Sequence, residues 1–276
     1  MSTHTQVRRP LPAAGSTNAA GLLGLAVRWL AVPVLVLVAW WVLAALVGSV
    51  AVASPAATLR AAVDGITDGW LPGSLLETLG ATAAGFALAS VVGLWLGFTL
   101  GMSRFWGEVL EGPLLWLYSI PKVTLFPLFL LFLGLGATST ALFGAFHGVF
   151  PLTLMLMAAI RSTPDVLFKV GRVYRLNRWQ VFTRIVVPET LPALVTGIRY
   201  CFSLTFLGVI LAEMFAARAG AGHELMQAIS LNNVARIFAV AVTLVLVALA
   251  VNGALLMVQR AVGRRRGGGW DENEPR

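Results

Sequence analysis

Residues 79–102 read LGATAAGFALASVVGLWLGFTLGM, a run without a single charge. A helix needs roughly 20 mostly apolar residues to cross a bilayer, so this stretch predicts a spanning helix. Ala81, Gly85, Ala89, Gly93, Gly97 and Gly101 put a small residue at every fourth position. At 3.6 residues per turn such a series drifts slowly around one face, and a second helix can approach closely along it. In lipid, close approach supplies the van der Waals contact that exclusion of water cannot. Gly144 and Gly148 repeat the spacing once, and the partner helix is not readable from the pattern.

Five more apolar runs lie outward of this one, at about 29–50, 113–135, 138–160, 198–217 and 237–262. The run at 113–135 is interrupted by Pro121, Lys122 and Pro127, and 108–118 could instead lie along the interface. The expectation is an all-α polytopic membrane protein with about six spans: a tail over 1–28, a membrane domain over 29–262 and a tail over 263–276. Composition agrees. The 276 residues are 58% hydrophobic and 12% charged, where soluble domains sit near half apolar and about a quarter charged. A water-soluble enzyme and a disordered chain are both excluded. The one cysteine, Cys201, makes no internal disulfide and no cysteine-rich metal site.

The net charge of +8 sorts by topology. With the N-terminus inside, fifteen of the twenty basic residues fall on the inner side: Arg8, Arg9 and Arg28, then Arg104, then Arg161, Lys169, Arg172, Arg175, Arg178 and Arg184, then Arg260, Arg264, Arg265, Arg266 and Arg276. Arg60, Arg218 and Arg236 fall outside. Cytoplasmic loops are enriched in Lys and Arg, so both termini are expected in the cytoplasm, and the basic excess requires no nucleic acid. The first apolar run exceeds the roughly 7–15 residues of a signal-peptide core and is expected to stay as an uncleaved span.

The segment 161–197 is too polar to cross. Val166, Val170, Val173 and Tyr174 recur at helical spacing with Lys169 and Arg172 between them. Asn177 suits the N-cap of a second helix carrying Trp179, Phe182, Ile185 and Val186, ahead of Pro188 and Pro192. Two short amphipathic helices with basic flanks either rest on the bilayer or fill a groove on another protein, and the residues alone leave both open.

The run from Arg178 to Pro192, RWQVFTRIVVPETLP, followed by Gly197-Ile198-Arg199, resembles the cytoplasmic signature of permease subunits of bacterial ABC importers. Leu211-Ala212-Glu213-Met214, Arg236-Ile237-Phe238-Ala239, Ile120-Pro121-Lys122, Phe126-Pro127-Leu128 and Leu133-Gly134-Leu135-Gly136 extend the likeness over about 76–262, toward the nitrate, sulfonate and taurine branch, which also includes permeases for vitamin precursors. Two positions depart. Lys169-Val170-Gly171 stands where the family shows Glu-Ala-Ala, and Arg175 stands where it shows a glycine. A left-handed backbone there would cost arginine roughly 1 kcal/mol, which puts the turn between the two helices in question.

The resemblance implies a type I importer permease of the bacterial plasma (inner) membrane. The pair of short helices in 161–197 would be a coupling element docked in an ATPase subunit, with Trp179 and Phe182 as anchors and Arg172, Arg175, Arg178 and Arg184 as rim. Lys169, Tyr174, Asn177 and Pro188 complete the coupling set. The implied partners are a second permease subunit (a homodimer), ATPase subunits that carry ATP and magnesium, the lipid bilayer and an external substrate-binding protein met by the outer loops. The substrate would be a small solute such as a sulfonate, nitrate or vitamin precursor. This chain itself has only Lys122 and Lys169, neither after a glycine-rich phosphate loop, and His4, His147 and His223 are scattered. No ATP site, metal site, cofactor or catalytic group is expected. Ionisable and polar groups at membrane depth are functional candidates because burying them is costly. For the translocation pathway these are Lys122, His147, Glu213 and Asn252, with structural alternatives in each case: snorkelling for Lys122, helix–helix hydrogen bonding for His147 and Asn252, and a backbone donor for Glu213. A membrane-embedded enzyme would need convergent catalytic residues, and none are evident. A membrane scaffold that uses the basic segment only as an anchor is the other competing class.

Overall fold

The computed structural model describes residues 19–267; Arg8, Arg9, Arg276, His4 and most of both expected tails lie outside the described residues. No strand occurs among the described residues. The helices are α1 (Ala19–Val47), α2 (Pro55–Thr67), α3 (Trp70–Met102), α4 (Arg104–Ser119), α5 (Phe126–Leu133), α6 (Ala137–Arg161), α7 (Asp165–Val173), α8 (Arg178–Val181), α9 (Val187–Ala216), α10 (Ala221–Ser230) and α11 (Val234–Gly267). A 3₁₀ turn (Lys122–Leu125) precedes α5, and a π turn (Phe182–Val186) joins α8 to α9. Helix α1 begins within the expected N-terminal tail, and α11 runs to Gly267.

Four helical stretches are long and apolar enough to span, Trp70–Met102, Ala137–Arg161, Arg178–Phe215 and Val234–Ala261. The expected third span is the pair α4 and Lys122–Leu133, bent by 88°. Ile120 before Pro121 takes an extended conformation (φ −62°, ψ 137°), as a residue preceding proline prefers, and the helix ends there. Among the described residues, four stretches, or five with the bent pair, meet the length requirement. The first expected run belongs to α1, 29 residues from Ala19 to Val47, of which Ala31–Val47 is apolar.

Residues 1–57 and 58–276 form two units. In the first, α1 ends at Gly48, whose φ of +90° reverses the chain, and the Trp40 indole donates to the Ala53 carbonyl at 3.0 Å. In the second, α6 is the central helix. The small residues of α3 lie on it in order: a Cβ on Gly85 would sit 2.5 Å from the Ala141 carbonyl oxygen, on Gly97 2.9 Å from Leu156 Cβ, and on Gly101 2.7 Å from Ile160 Cδ1. Ala89 and Gly93 are buried in the same face, Gly93 against Leu152. Residue numbers rise together on the two helices, so α3 and α6 are parallel, and the glycines set their separation. A close-packed interior cannot absorb added methyls there without strain. A neighbouring face of α6 presents Gly144 to Val209 and Gly148 to Cys201, so α9 runs antiparallel.

Helix α9 is longer than the expected 198–217. Together with α8 it is one helical stretch from Arg178 to Phe215. Pro188 lacks an N–H and its ring crowds the carbonyl four residues back. The π turn absorbs this: the Val187 N–H reaches the Phe182 carbonyl, which widens the helix where the proline enters. Hydroxyls in the bundle bond back to their own helices, as Thr153 does to the Val149 carbonyl at 2.8 Å and Thr190 to Val186 at 2.8 Å. Ser203 Oγ donates to Asn252 Oδ1 at 2.8 Å and Gln259 Nε2 to Thr196 Oγ1 at 2.8 Å, tying α9 to α11.

Because α3 and α6 are parallel and α9 antiparallel, Met102, Arg161 and Arg178 share one end of the bundle. Arg104, Arg161, Arg172, Arg175, Arg178 and Arg184 gather at that end.

Candidate functional site

Helices α7 and α8 meet at a tight corner. Arg175 has φ +50°. The Leu176 N–H reaches the Gly171 carbonyl at 2.9 Å and the Arg175 N–H the Arg172 carbonyl at 3.0 Å, which is the paired closure of a helix through a left-handed residue. Arginine therefore adopts the conformation a glycine would supply, at a cost of about 1 kcal/mol. Asn177 then opens α8 with reciprocal bonds, Gln180 N–H to Asn177 Oδ1 at 2.8 Å and Asn177 N–H to Gln180 Oε1 at 2.9 Å. Both ends of the corner are hydrogen-bonded, so the corner is stiff although residue 175 is not glycine.

The two helices present their apolar residues differently. On α7, Val166 and Val170 are exposed, Val173 is 80% exposed and Tyr174 75%, with Lys169, Arg172 and Arg175 exposed beside them. The side facing the bundle is Phe168, packed on the core of Leu156, Ile160 and Val186, and Gly171, closed against Ile185. Past α8, Phe182 packs edge-to-face on Phe98 of α3 with centroids 5.0 Å apart and belongs to that same core. Phe182, expected as an outward anchor, is half-buried, its ring held in part by this chain's own α3. Trp179 is 69% exposed and stacks on Phe182 at 5.5 Å. Arg178 and Arg184 are exposed, and Pro188 is half-buried in the first turn of α9.

The four residues singled out at membrane depth are each held by neighbours. Lys122 is 9% exposed, and its Nζ donates to the Tyr118 carbonyl at 2.8 Å, over the rings of Tyr118 and Phe150. It thereby caps the C-terminal end of α4 at the 88° bend, where a cation is favourable. His147 is buried at the α6–α9 crossing. Its Nδ1 lies 3.0 Å from the Phe143 carbonyl, and a Cβ on Gly208 would come within 2.9 Å of its ring. Glu213 is 2% exposed; its Oε2 accepts from Thr78 Oγ1 at 2.8 Å and from the Gly222 N–H at 2.9 Å, while Thr78 Oγ1 accepts from the Ala221 N–H at 2.8 Å. The carboxylate and the hydroxyl together cap α10 and join α3, α9 and α10. Asn252 accepts from Ser203 and donates to the Ala248 carbonyl at 3.0 Å. Each side chain thus has partners within its own chain, and the structure does not gather all four into one site.

Over residues 89–268 the sequence matches the family model described as the binding-protein-dependent transport system inner membrane component. The chain belongs to this family. It is a multi-pass inner-membrane permease of the ABC importer class. The permease is 28% identical over 214 residues to the aliphatic sulfonates transport permease protein SsuC of Bacillus subtilis (strain 168), covering 77% of this chain and 78% of that protein. It is 32% identical over 196 residues to the riboflavin transport system permease protein RibX of Chloroflexus aurantiacus, covering 71% and 73%. In fold it is similar to an inward-facing structure of the MetNI methionine ABC transporter, with a TM-score of 0.62 at 21% identity, covering 70% of this chain and 96% of that one.

Several contacts of the permease were not anticipated from sequence. Thr78 and Gly222 complete the Glu213 clamp, and the glycine pair flanking Ala221 was the available signal, since Gly220 takes φ +108° and a Cβ there would meet the carboxylate. Arg161 pairs with Glu111 of α4. Arg236 pairs with Glu224 and lies over the Trp70 ring at 4.1 Å. Each joins residues too far apart in sequence for spacing to reveal.

Proposed function

We propose that this chain forms the translocation pathway of an ATP-driven importer and that the outer face of α7 is where a separate ATPase subunit grips it. The observation that carries this reading is the exposed apolar strip Val166, Val170, Val173 and Tyr174, rimmed by Lys169, Arg172 and Arg175, on a helix held by a doubly hydrogen-bonded corner. An amphipathic helix with apolar anchors and a charged rim suits a groove on a partner. A stiff corner transmits the partner's movement into the Arg178–Phe215 helix, the one that packs along α6. Trp179, at the corner's far side, lies within reach of the same partner.

Two copies of the chain, two ATPases and an external binding protein make the working assembly. The arginine-rich end of the bundle faces the cytoplasm, with both termini on that side, by the bias of basic residues toward inner loops. ATP and magnesium belong to the ATPase. The solute is small, of the classes named for the relatives, an anion such as a sulfonate or nitrate or a vitamin-type molecule. Since Lys122 and His147 are occupied by their own neighbours, the external binding protein carries most of the selectivity.

Val173→Asp places a charge in the strip without touching the bundle. The expected outcome is normal insertion and thermal stability with ATPase copurification reduced about tenfold or more, as for a central interface residue. Undiminished copurification would remove α7 as the grip. In vesicles, ATP-dependent solute uptake with the cognate ATPase separates a permease from a scaffold, which would show none.

A further inference from the structure

We propose that the groove between the Met102 end of α3 and α8 binds an anionic phospholipid, its acyl chain along α3 and its phosphate on Arg178. The groove has a volume of about 570 Å³. One helical face of α3, Leu94, Phe98 and Met102, forms its floor, and Phe182 its far wall. The one hydroxyl along that face, Thr99, is turned to its own helix, donating to the Trp95 carbonyl at 2.7 Å. The floor side chains Leu94, Phe98 and Met102 carry no hydrogen-bond donor, and an alkyl chain needs none.

The groove's two ends differ chemically, as a lipid's do. Arg178 stands at the mouth and has no ion pair among the described residues. Arg175 and Arg184 are exposed nearby in sequence, also without one. Trp95 and Trp179 flank the opening, 64% and 69% exposed, and tryptophan favours the boundary between headgroups and acyl chains. Depth argues against a soluble protein as occupant. Leu94 lies eight residues inside the end of α3, about 12 Å at 1.5 Å per residue, along a helix that spans the bilayer. The α4 carboxylates at this end, Glu108 and Glu111, are already paired with Arg104 and Arg161. An anionic headgroup supplies the missing charge. The site uses none of the α7 strip Val166, Val170, Val173 and Tyr174.

The test uses the full chain purified in detergent with equal amounts of phosphatidylglycerol and phosphatidylcholine, and native mass spectrometry to count retained lipid. One phosphatidylglycerol per chain is expected to be held in preference. Arg178→Gln lowers that preference about fivefold, and Arg178→Lys restores it, which separates charge from misfolding. Thr99→Trp fills the groove from an exposed position, and the retained lipid is lost. Equal retention of the two lipids by the wild type, or unchanged retention in both R178Q and T99W, overturns the proposal. So does a disulfide between two copies carrying Thr99→Cys, or protection of that cysteine from labelling by the ATPase and not by lipid. ATPase copurification, read on Thr99→Trp, a position outside the coupling set, stays at the wild-type level whether or not the lipid site survives.

Discussion

On α7 the apolar residues Val170 and Val173 face outward beside Lys169 and Arg172, whereas past α8 Phe182 and Val186 close onto Phe98, Leu156 and Ile160. Both helices show apolar residues at helical spacing with arginines between them, yet α7 exposes that face, while past α8 Phe182 and Val186 turn inward and only Trp179 stays out. The difference follows from what each helix is joined to. Helix α8 is the first turn of the stretch that continues to Phe215, and the packing of α9 on α6 fixes its direction. Its apolar side is thereby committed to α3. Helix α7 is attached through the Arg175 corner and touches the core by Phe168 and Gly171, so its broader apolar strip is left for a partner outside the chain. Amphipathicity alone therefore names a face that wants cover, and connectivity decides who covers it.

The comparison breaks most visibly at Phe182. Phe182→Ala removes a half-buried ring from the α3–α8 contact and is expected to cost about 2 kcal/mol, below the 3–5 kcal/mol of a fully buried phenylalanine. Val173→Ala is expected to change stability by less than about 0.5 kcal/mol, as for an exposed site. Thermal unfolding of the two variants in the same detergent is the check. Equal losses would mean that α7 also packs inward and that the two faces are not different in kind.

Much of this fold was legible because lipid imposes simple rules on a chain. Uncharged runs of spanning length marked α3, α6 and α11, and the four-residue spacing from Gly85 to Gly101 marked the face of α3 that another helix meets. That the partner is α6 and parallel was not legible, since spacing on one helix carries no information about the other. Sequence spacing places the second short helix ahead of Pro188 and Pro192, and the fifth span from about 198. The structure keeps the helix continuous, because a single π turn accommodates the missing donor. The four polar residues at membrane depth were visible as exceptions to an apolar pattern, but their roles depend on partners such as Thr78 for Glu213 and Ser203 for Asn252, which only the fold brings near.

A smaller effect is expected at the start of α8. Asn177→Ala removes the side-chain half of the reciprocal cap with Gln180 and should cost about 1 kcal/mol. If the corner transmits force between α7 and the long helix, the same variant also weakens coupling. ATP hydrolysis by the assembled complex then loses part of its stimulation by the loaded binding protein, while ATPase copurification stays near wild type. Loss of stability with full stimulation would reduce the cap to a purely local role.

The finest distinction lies at Arg175, where the corner takes a left-handed backbone without a glycine. Arg175→Gly removes the Cβ penalty of about 1 kcal/mol, but glycine loses more conformational freedom on folding, roughly 0.5–1 kcal/mol relative to alanine in regular structure. The two terms nearly offset, so the net gain is expected at no more than about 0.5 kcal/mol. Arg175→Ala keeps the Cβ and gains nothing from relief of strain, so glycine should exceed alanine in thermal stability even though both remove the same charge. If alanine equals glycine, φ +50° is not strained at this corner and the arginine is there for its charge alone. If glycine is the more stable while ATPase copurification falls equally in both variants, the guanidinium belongs to the rim of the α7 face, and the strain is tolerated in order to keep that charge at the grip.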